Sequence, residues 1–319
     1  MPLRHALSAV LLAAITSLAA HAQPAATLQL TLLGTGNPRP NMERFGPSIL
    51  VEAGGQRLLI DAGRGAAQRL FAIGQREVLT GIDAVLLTHL HSDHTVGLPD
   101  VWLTPWIFGR ARALPLIGPA GTTDMARHLT EAYQWDIATR TKDEGFPAEG
   151  VRFDAKDVTP GVVYDRDGLR VTAFAVDHGT FAVPALGYRV DYRGRSAVVS
   201  GDMRFDARIV EHAKGVDVMV VEVISPEVEA RRAQVQDPKA LARILARHIS
   251  PDQAGTLFAK VGPRLAVFTH IVPSPATAED LVPVARKTYA GPLAVGYDLM
   301  TIVIGATVDT FPRHTMSDQ

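Results

Sequence analysis

The sequence predicts an α/β fold of two β-sheets packed face to face with helices on their outer faces, an αββα sandwich. Short apolar runs of strand character recur in both halves of the 319-residue chain, with helical stretches between them. Residues of metal-ligating type stand repeatedly where such a run ends, and in layered α/β folds the carboxyl ends of the strands are where ligands bind. Composition agrees: 47% of residues are hydrophobic and 20% charged, and the net charge of -1 supplies no basic field to hold nucleic acid. The absence of cysteine excludes disulfides and removes thiolate from the list of metal ligands.

Residues 1–22 read as a secretory signal peptide: Arg4 precedes an apolar run from Ala6 to Ala20, and Ala20-His-Ala22 is a small-x-small cleavage pattern. That run is too short to span a bilayer comfortably. The expected mature chain therefore starts at Gln23, is periplasmic or secreted, and has no stable membrane insertion. Residues 23–319 read as a single domain of two strand-rich halves, about 27–150 and 151–311.

The first half opens with a strand at 27–33, broken by Gly34-Thr-Gly-Asn-Pro-Arg-Pro40. Pro38 and Arg39 stand where a dinucleotide-binding loop would continue its glycine pattern, so no such loop is expected. Strands at 48–52 and 56–61 flank Gly54 and Gly55 as a hairpin. A short helix follows at 64–73, then a buried strand at 85–87. A helical segment at 95–108 carries Trp102 and Trp106, read as core in preference to a substrate-facing wall. A strand at 114–117 and a helix at 122–135 lead to a surface loop or lid at 139–151, the expected boundary between the halves.

The second half has strands at 169–176, 186–192, 196–200, 216–221 and 265–268, with final strands near 293–295 and 301–304. Helices are expected at 205–213, 237–247 and 251–261, the second with Asp237 as N-cap and Pro238 in its first turn. The strands lead into Asp177-His178, Gly201-Asp202, Glu222 and Thr269-His270.

The strand at 85–87 ends in Thr88-His-Leu-His-Ser-Asp-His94. Three imidazoles and a carboxylate this close together are costly to desolvate unless a cation sits among them, and neutral imidazole with carboxylate suits borderline divalent ions. Seven donors can be assembled: His89, His91, Asp93, His94, His178, Asp202 and His270. Asp61 is read as a carboxylate that orients a ligating histidine, because the set fills without it.

The His-x-His-x-Asp-His pattern resembles the signature of the metallo-β-lactamase superfamily of binuclear hydrolases. Leu33-Gly-Thr-Gly36, Leu59-Ile-Asp-Ala-Gly63, Asp177-His178, Leu186-Gly-Tyr-Arg189, Gly201-Asp202, Gly215-Val-Asp217 and Thr269-His270 carry the likeness toward its tRNase Z and secreted arylsulfatase-like branch. The resemblance implies the same sandwich and two divalent ions, zinc expected, with manganese or iron also suited. It assigns His89, His91 and His178 to one ion, Asp93, His94 and His270 to the other, and Asp202 to the bridge. It also implies catalytic roles for Asp93, His248 and Glu222: a ligand that also takes the water's proton, a proton donor, and its acidic partner. Val221 replaces the histidine that precedes this glutamate in the branch, and Met203 replaces a threonine or serine.

The tRNA-processing members carry a long insertion between the equivalents of His178 and Asp202, where this chain has room for two strands and a turn. On that ground the expected reaction is hydrolysis of a small-molecule anionic ester, an aryl sulfate or phosphodiester, by a metal-bridging hydroxide, with no nucleic-acid partner. A lactonase is the alternative, followed by a tRNase Z-like phosphodiesterase and a catalytically inactive metal-binding protein. A homodimer is compatible with the resemblance.

Overall fold

The structure, a computed structural model, describes residues 27–179, 184–232 and 238–312. The segment read as a signal peptide and Asp237, read as an N-cap, lie outside these residues. The strands alternate between two environments along their length. In β11 (Val218–Ile224), Val218 and Val220 enter the core between the sheets, whereas Met219, Val221 and Val223 enter a second core under helices. In β4 (Ala84–Leu86), Ala84 and Leu86 face the inter-sheet core and Val85 faces helices on the other side. Successive side chains of a strand point to opposite faces, so a run that is apolar at every position is what a sheet covered on both faces requires.

The first sheet takes its strands from both ends of the chain. It comprises β1 (Leu28–Gly34), β2 (Ser48–Ala53), β3 (Gln56–Ile60), β4, β5 (Leu114–Gly118) and β6 (Phe153–Asp157), joined at the β1 edge by β14 (Met300–Ile304) and β15 (Val308–Pro312). Their order is β15-β14-β1-β2-β3-β4-β5-β6. The second sheet runs β13-β12-β11-β10-β9-β8-β7, with β7 Gly161–Arg166, β8 Leu169–Val176, β9 Ala185–Tyr192, β10 Arg195–Val199, β12 Leu265–Val272 and β13 Leu293–Val295. The chain crosses from one sheet to the other between β6 and β7.

Helices α1 (Ala66–Thr80) and α3 (Leu98–Ile107), separated by the short α2 (Ser92–Thr95), cover the first sheet with α4 (Thr122–Ala132) and α5 (Gln134–Lys142). The second sheet is covered by α6 (Ile209–His212), α9 (Pro251–Val261) and α10 (Ala278–Ala285), while α7 (Pro226–Arg232) and α8 (Pro238–Leu245) lie toward the site. Helix α9 starts from a capping box in which Ser250 and Gln253 satisfy each other's backbone N–H, and Gly262 ends it at φ 63°. Among the described residues no helix is long and apolar enough to cross a membrane.

Two helices differ from expectation, while the two tryptophans sit in the core as read. The helix read at 122–135 breaks at Tyr133, and α5 then occupies part of the stretch read as a loop. The helix read at 205–213 shrinks to the single turn of α6. Trp102 and Trp106 are fully buried, and their indole N–H groups donate to the carbonyls of Val151 and Pro147 at 2.7 and 2.9 Å, which leaves neither for a pocket wall.

Candidate metal centre

The site is assembled by backbone hydrogen bonds before any side chain is considered. The Asp61 N–H donates to the Leu86 carbonyl at 2.8 Å, holding the turn after β3 against the end of β4. The Ala62 N–H donates to the His94 carbonyl and the Gly97 N–H to the Ala62 carbonyl, so the turn after β3 also grips the C-terminal end of α2. Gly63 is required here: a Cβ on it would stand 2.6 Å from the Asp93 carbonyl oxygen and 2.5 Å from the Gly46 carbonyl carbon. From the second sheet, the Leu186 N–H donates to the Thr88 carbonyl at 2.8 Å and the buried Tyr188 hydroxyl to the Leu87 carbonyl at 2.6 Å. The two sheets are thus tied together at the point where the histidine cluster begins.

All seven donors read from the sequence meet there. Three sets, His89 with His91 and His178, Asp93 with His94 and His270, and His89 with His94 and Asp202, have ligand atoms within 4.8 Å of one another. Asp202 is central: its oxygens lie 3.3 Å from Nε2 of His94, 3.3 Å from Nε2 of His270 and 3.9 Å from Nε2 of His178. His91 contributes Nδ1, which lies 3.0 and 3.3 Å from Nε2 of His89 and His178.

The outer ring nitrogens explain why these faces turn inward. Nδ1 of His94 is held at 2.8 Å by Asp61, which also accepts from the Thr88 N–H and hydroxyl. Nδ1 of His89 meets the Thr88 hydroxyl at 3.0 Å, and Nδ1 of His178 meets the Arg247 carbonyl at 3.0 Å. An outer partner of this kind sets the tautomer and aims the other nitrogen. Sequence reasoning found Asp61 but missed Thr88 and the Arg247 carbonyl; a hydroxyl directly before the first histidine was the available signal.

The donor set fits divalent cations. His94 Nε2 and Asp202 Oδ1 are buried and, among the described residues, have no hydrogen-bond partner, although they face each other. Buried polar atoms left unpaired are costly, and donors of this type aimed at one point are what a cation satisfies. Burial drives His89 well below the ordinary imidazole range, into the neutral form a metal accepts. Burial opposes ionisation of Asp202, yet His270 and His94 overcome it and hold its carboxyl well below the usual carboxylate range.

Glu222 lies within β11, not at its end, and His270 lies within β12 at φ 41° rather than after it. The pairing of these two strands shifts register between Glu222 and Val223. Nδ1 of His248 is 3.1 Å from both Glu222 oxygens, and Glu222 also accepts from the Met203 N–H at 2.9 Å. Only the backbone of Met203 serves the carboxylate; its side chain and that of Val221 are fully buried in the core under α9, so neither departure from the branch pattern touches the donors. A cavity of about 380 Å³ exposes the centre, lined also by Asn37, Arg39 and Arg247. Arg39, which the sequence reading used only to reject a nucleotide loop, makes a bidentate pair with the buried Glu229 at 2.7 and 2.9 Å.

The Beta-lactamase superfamily domain matches residues 56–271. A Ribonuclease Z of Mycobacterium avium is 37% identical over 284 residues, covering 88% of this chain and 99% of that protein. Among solved structures, the metallo-beta-lactamase fold protein YhfI of Bacillus subtilis superposes with TM-score 0.67 at 17% identity, covering 87% of this chain and 99% of that one. The short form of human tRNase Z gives 0.63 at 19%, covering 86% and 98%. These likenesses overturn the expectation of a small-molecule ester substrate and no nucleic acid. The Mycobacterium relative aligns almost end to end within 284 positions, so a protein can bear the ribonuclease name without a long insertion that this chain lacks. Near-zero net charge argued only against a global field, and says nothing of a local contact. Together the domain match, the end-to-end relative and the shared fold show that the chain is a hydrolase of the metallo-β-lactamase superfamily, close to tRNase Z.

Proposed function

We propose that the protein is a metal-dependent phosphodiesterase that hydrolyses RNA in the manner of its Ribonuclease Z relatives, with precursor transfer RNA as the substrate class. The observation that carries the reading is one cavity holding both the seven-donor centre and His248 backed by Glu222, in a chain 37% identical to a Ribonuclease Z along nearly that protein's whole length. Bound by these donors, divalent ions would supply Lewis acidity and an acidified water.

The chain's own residues supply the rest. His89, His91 and His178 form one donor group, Asp93, His94 and His270 a second, and Asp202 stands between them. Burial lowers the proton affinity of His248, but the charge and hydrogen bond of Glu222 win and raise it to about 9, so the imidazole holds a proton at neutral pH. With Nδ1 engaged by Glu222, Nε2 is the nitrogen left to protonate a departing oxygen. Asp93, 3.2 Å from His270, is placed to accept a proton on the attacking side.

The test uses metal-loaded protein and a precursor transfer RNA with a 3′ trailer, its products mapped at single-nucleotide resolution across a salt series, beside bis-p-nitrophenyl phosphate. Metal-dependent cleavage at one position, weakening log-linearly with salt, is expected. Turnover of the small diester with no cleavage of any RNA would overturn the reading.

A further inference from the structure

His248 lines two cavities. One contains the donor centre. The other, about 510 Å³, lies between Asp177, the stretch from Arg204 to Arg208, the end of α8 and Gln253 of α9. None of the seven donors faces it, and the mechanism above gives it no task. Its size falls in the range of roughly 300–1,000 Å³ that holds a small organic group.

Its chemistry is specific. Phe205 leaves 39% of its surface exposed at this cavity. Arg204 reaches Asp177 at 2.6 Å, and Arg208 grips both oxygens of Asp206, Oδ2 at 2.6 Å and Oδ1 at 3.0 Å. Two guanidinium groups balanced by two carboxylates do not make a trap for a bare anion. A flat apolar face beside fixed donors and acceptors suits a nucleobase, which stacks through its ring and pairs through its edge.

We infer that this second cleft receives the nucleoside on the leaving side of the cleaved phosphodiester, its base stacked on Phe205 and its polar edge facing the Arg204–Asp177 pair and Gln253. The inference rests on the RNA-cleaving reading and adds the position of one nucleoside to it. In the step itself, water's oxygen bonds to phosphorus and the bond from phosphorus to the nucleoside oxygen breaks, its electron pair leaving on that oxygen. The His248 proton moves to the departing oxygen, and the proton released by water reaches solvent, from which the imidazole is recharged. His248 lines both cavities, so a nucleoside held in the second one brings its departing oxygen to the imidazole whose proton it needs.

The experiment measures kcat and KM for a short RNA and for bis-p-nitrophenyl phosphate, with wild type, Phe205→Ala and Phe205→Tyr, and for the same RNA made abasic at the leaving nucleoside. Loss of one stacked base corresponds to roughly 5- to 150-fold. The ratio of RNA to small-diester kcat/KM should fall by about tenfold or more in Phe205→Ala, mainly through KM, and recover in Phe205→Tyr. Wild type should lose a similar factor on the abasic RNA, and Phe205→Ala should no longer distinguish abasic from intact. If wild type cleaves RNA but treats the two RNAs alike, the inference falls whether or not the alanine variant folds, and the ribonuclease reading stands. A wild type that turns over the small diester and no RNA overturns both.

Discussion

The Nδ1 atom of His248 lies 3.1 Å from both carboxylate oxygens of Glu222, 26 residues away in the chain and almost fully buried. This contact separates a proton donor from a helix-terminal cap, because it fixes the tautomer that leaves Nε2 facing the cavity. We therefore expect His248→Ala to keep its metal content and lose roughly 10²- to 10⁴-fold in kcat. The loss should be smaller with a p-nitrophenolate leaving group, which needs little protonation, than with an alkoxide. An unchanged kcat on both substrates would remove the residue from the reaction.

Asp202→Ala should cost the protein at least one ion per chain together with its activity. The Asp202 carboxylate stands within 3.3 Å of two imidazoles from different elements, His94 of α2 and His270 of β12, and its removal would leave the bound cations with one fewer anionic donor. Elemental analysis decides: two ions retained in the variant would sink the central role given to Asp202.

Asp61→Asn tests the orienting contact. The amide would keep the bond from the Thr88 N–H but turn an N–H donor toward Nδ1 of His94, now held at 2.8 Å by a carboxylate oxygen. Metal affinity should weaken by roughly 10- to 100-fold, read by competition with a chelator. An unaltered affinity would mean that packing alone orients His94.

Gly63→Ala should destabilise by more than the ~1–3 kcal/mol typical of overpacking, because the new methyl meets backbone on three sides: Gly46, Asp93 and Pro47. Thermal unfolding should show a drop of several degrees in Tm. Metal affinity should fall with it, since the Asp93 carbonyl is one of the atoms that must shift.

The cluster from His89 to His94 was legible because all its information is local: one strand end, six residues, four donors. Asp202 and His178 were legible for the same reason, each following a short apolar run. Glu222 and His270 were placed one element too late, because β11 and β12 continue past them through a register shift that no local pattern announces. Strands β6 and β7 went unread because they are largely exposed and carry charges at Asp154, Lys156, Asp165 and Arg166, which hides any alternation. The Arg39–Glu229 pair spans 190 residues and had no signature at either end. The substrate was misjudged for a different reason: a missing insertion was weighed as if it were a missing site.

The contacts from His178 to His91 and from His270 to Asp93 close loops of 87 and 177 residues. During synthesis His270 is the last donor to leave the ribosome, so no nascent fragment can hold a complete centre. Ion uptake is then a late event in the life of each molecule, and a metal-starved cell should contain full-length chains whose two sheets are joined by hydrogen bonds and packing alone. Scarcity of metal should thus shorten the lifetime of the protein against proteases as well as slow its chemistry.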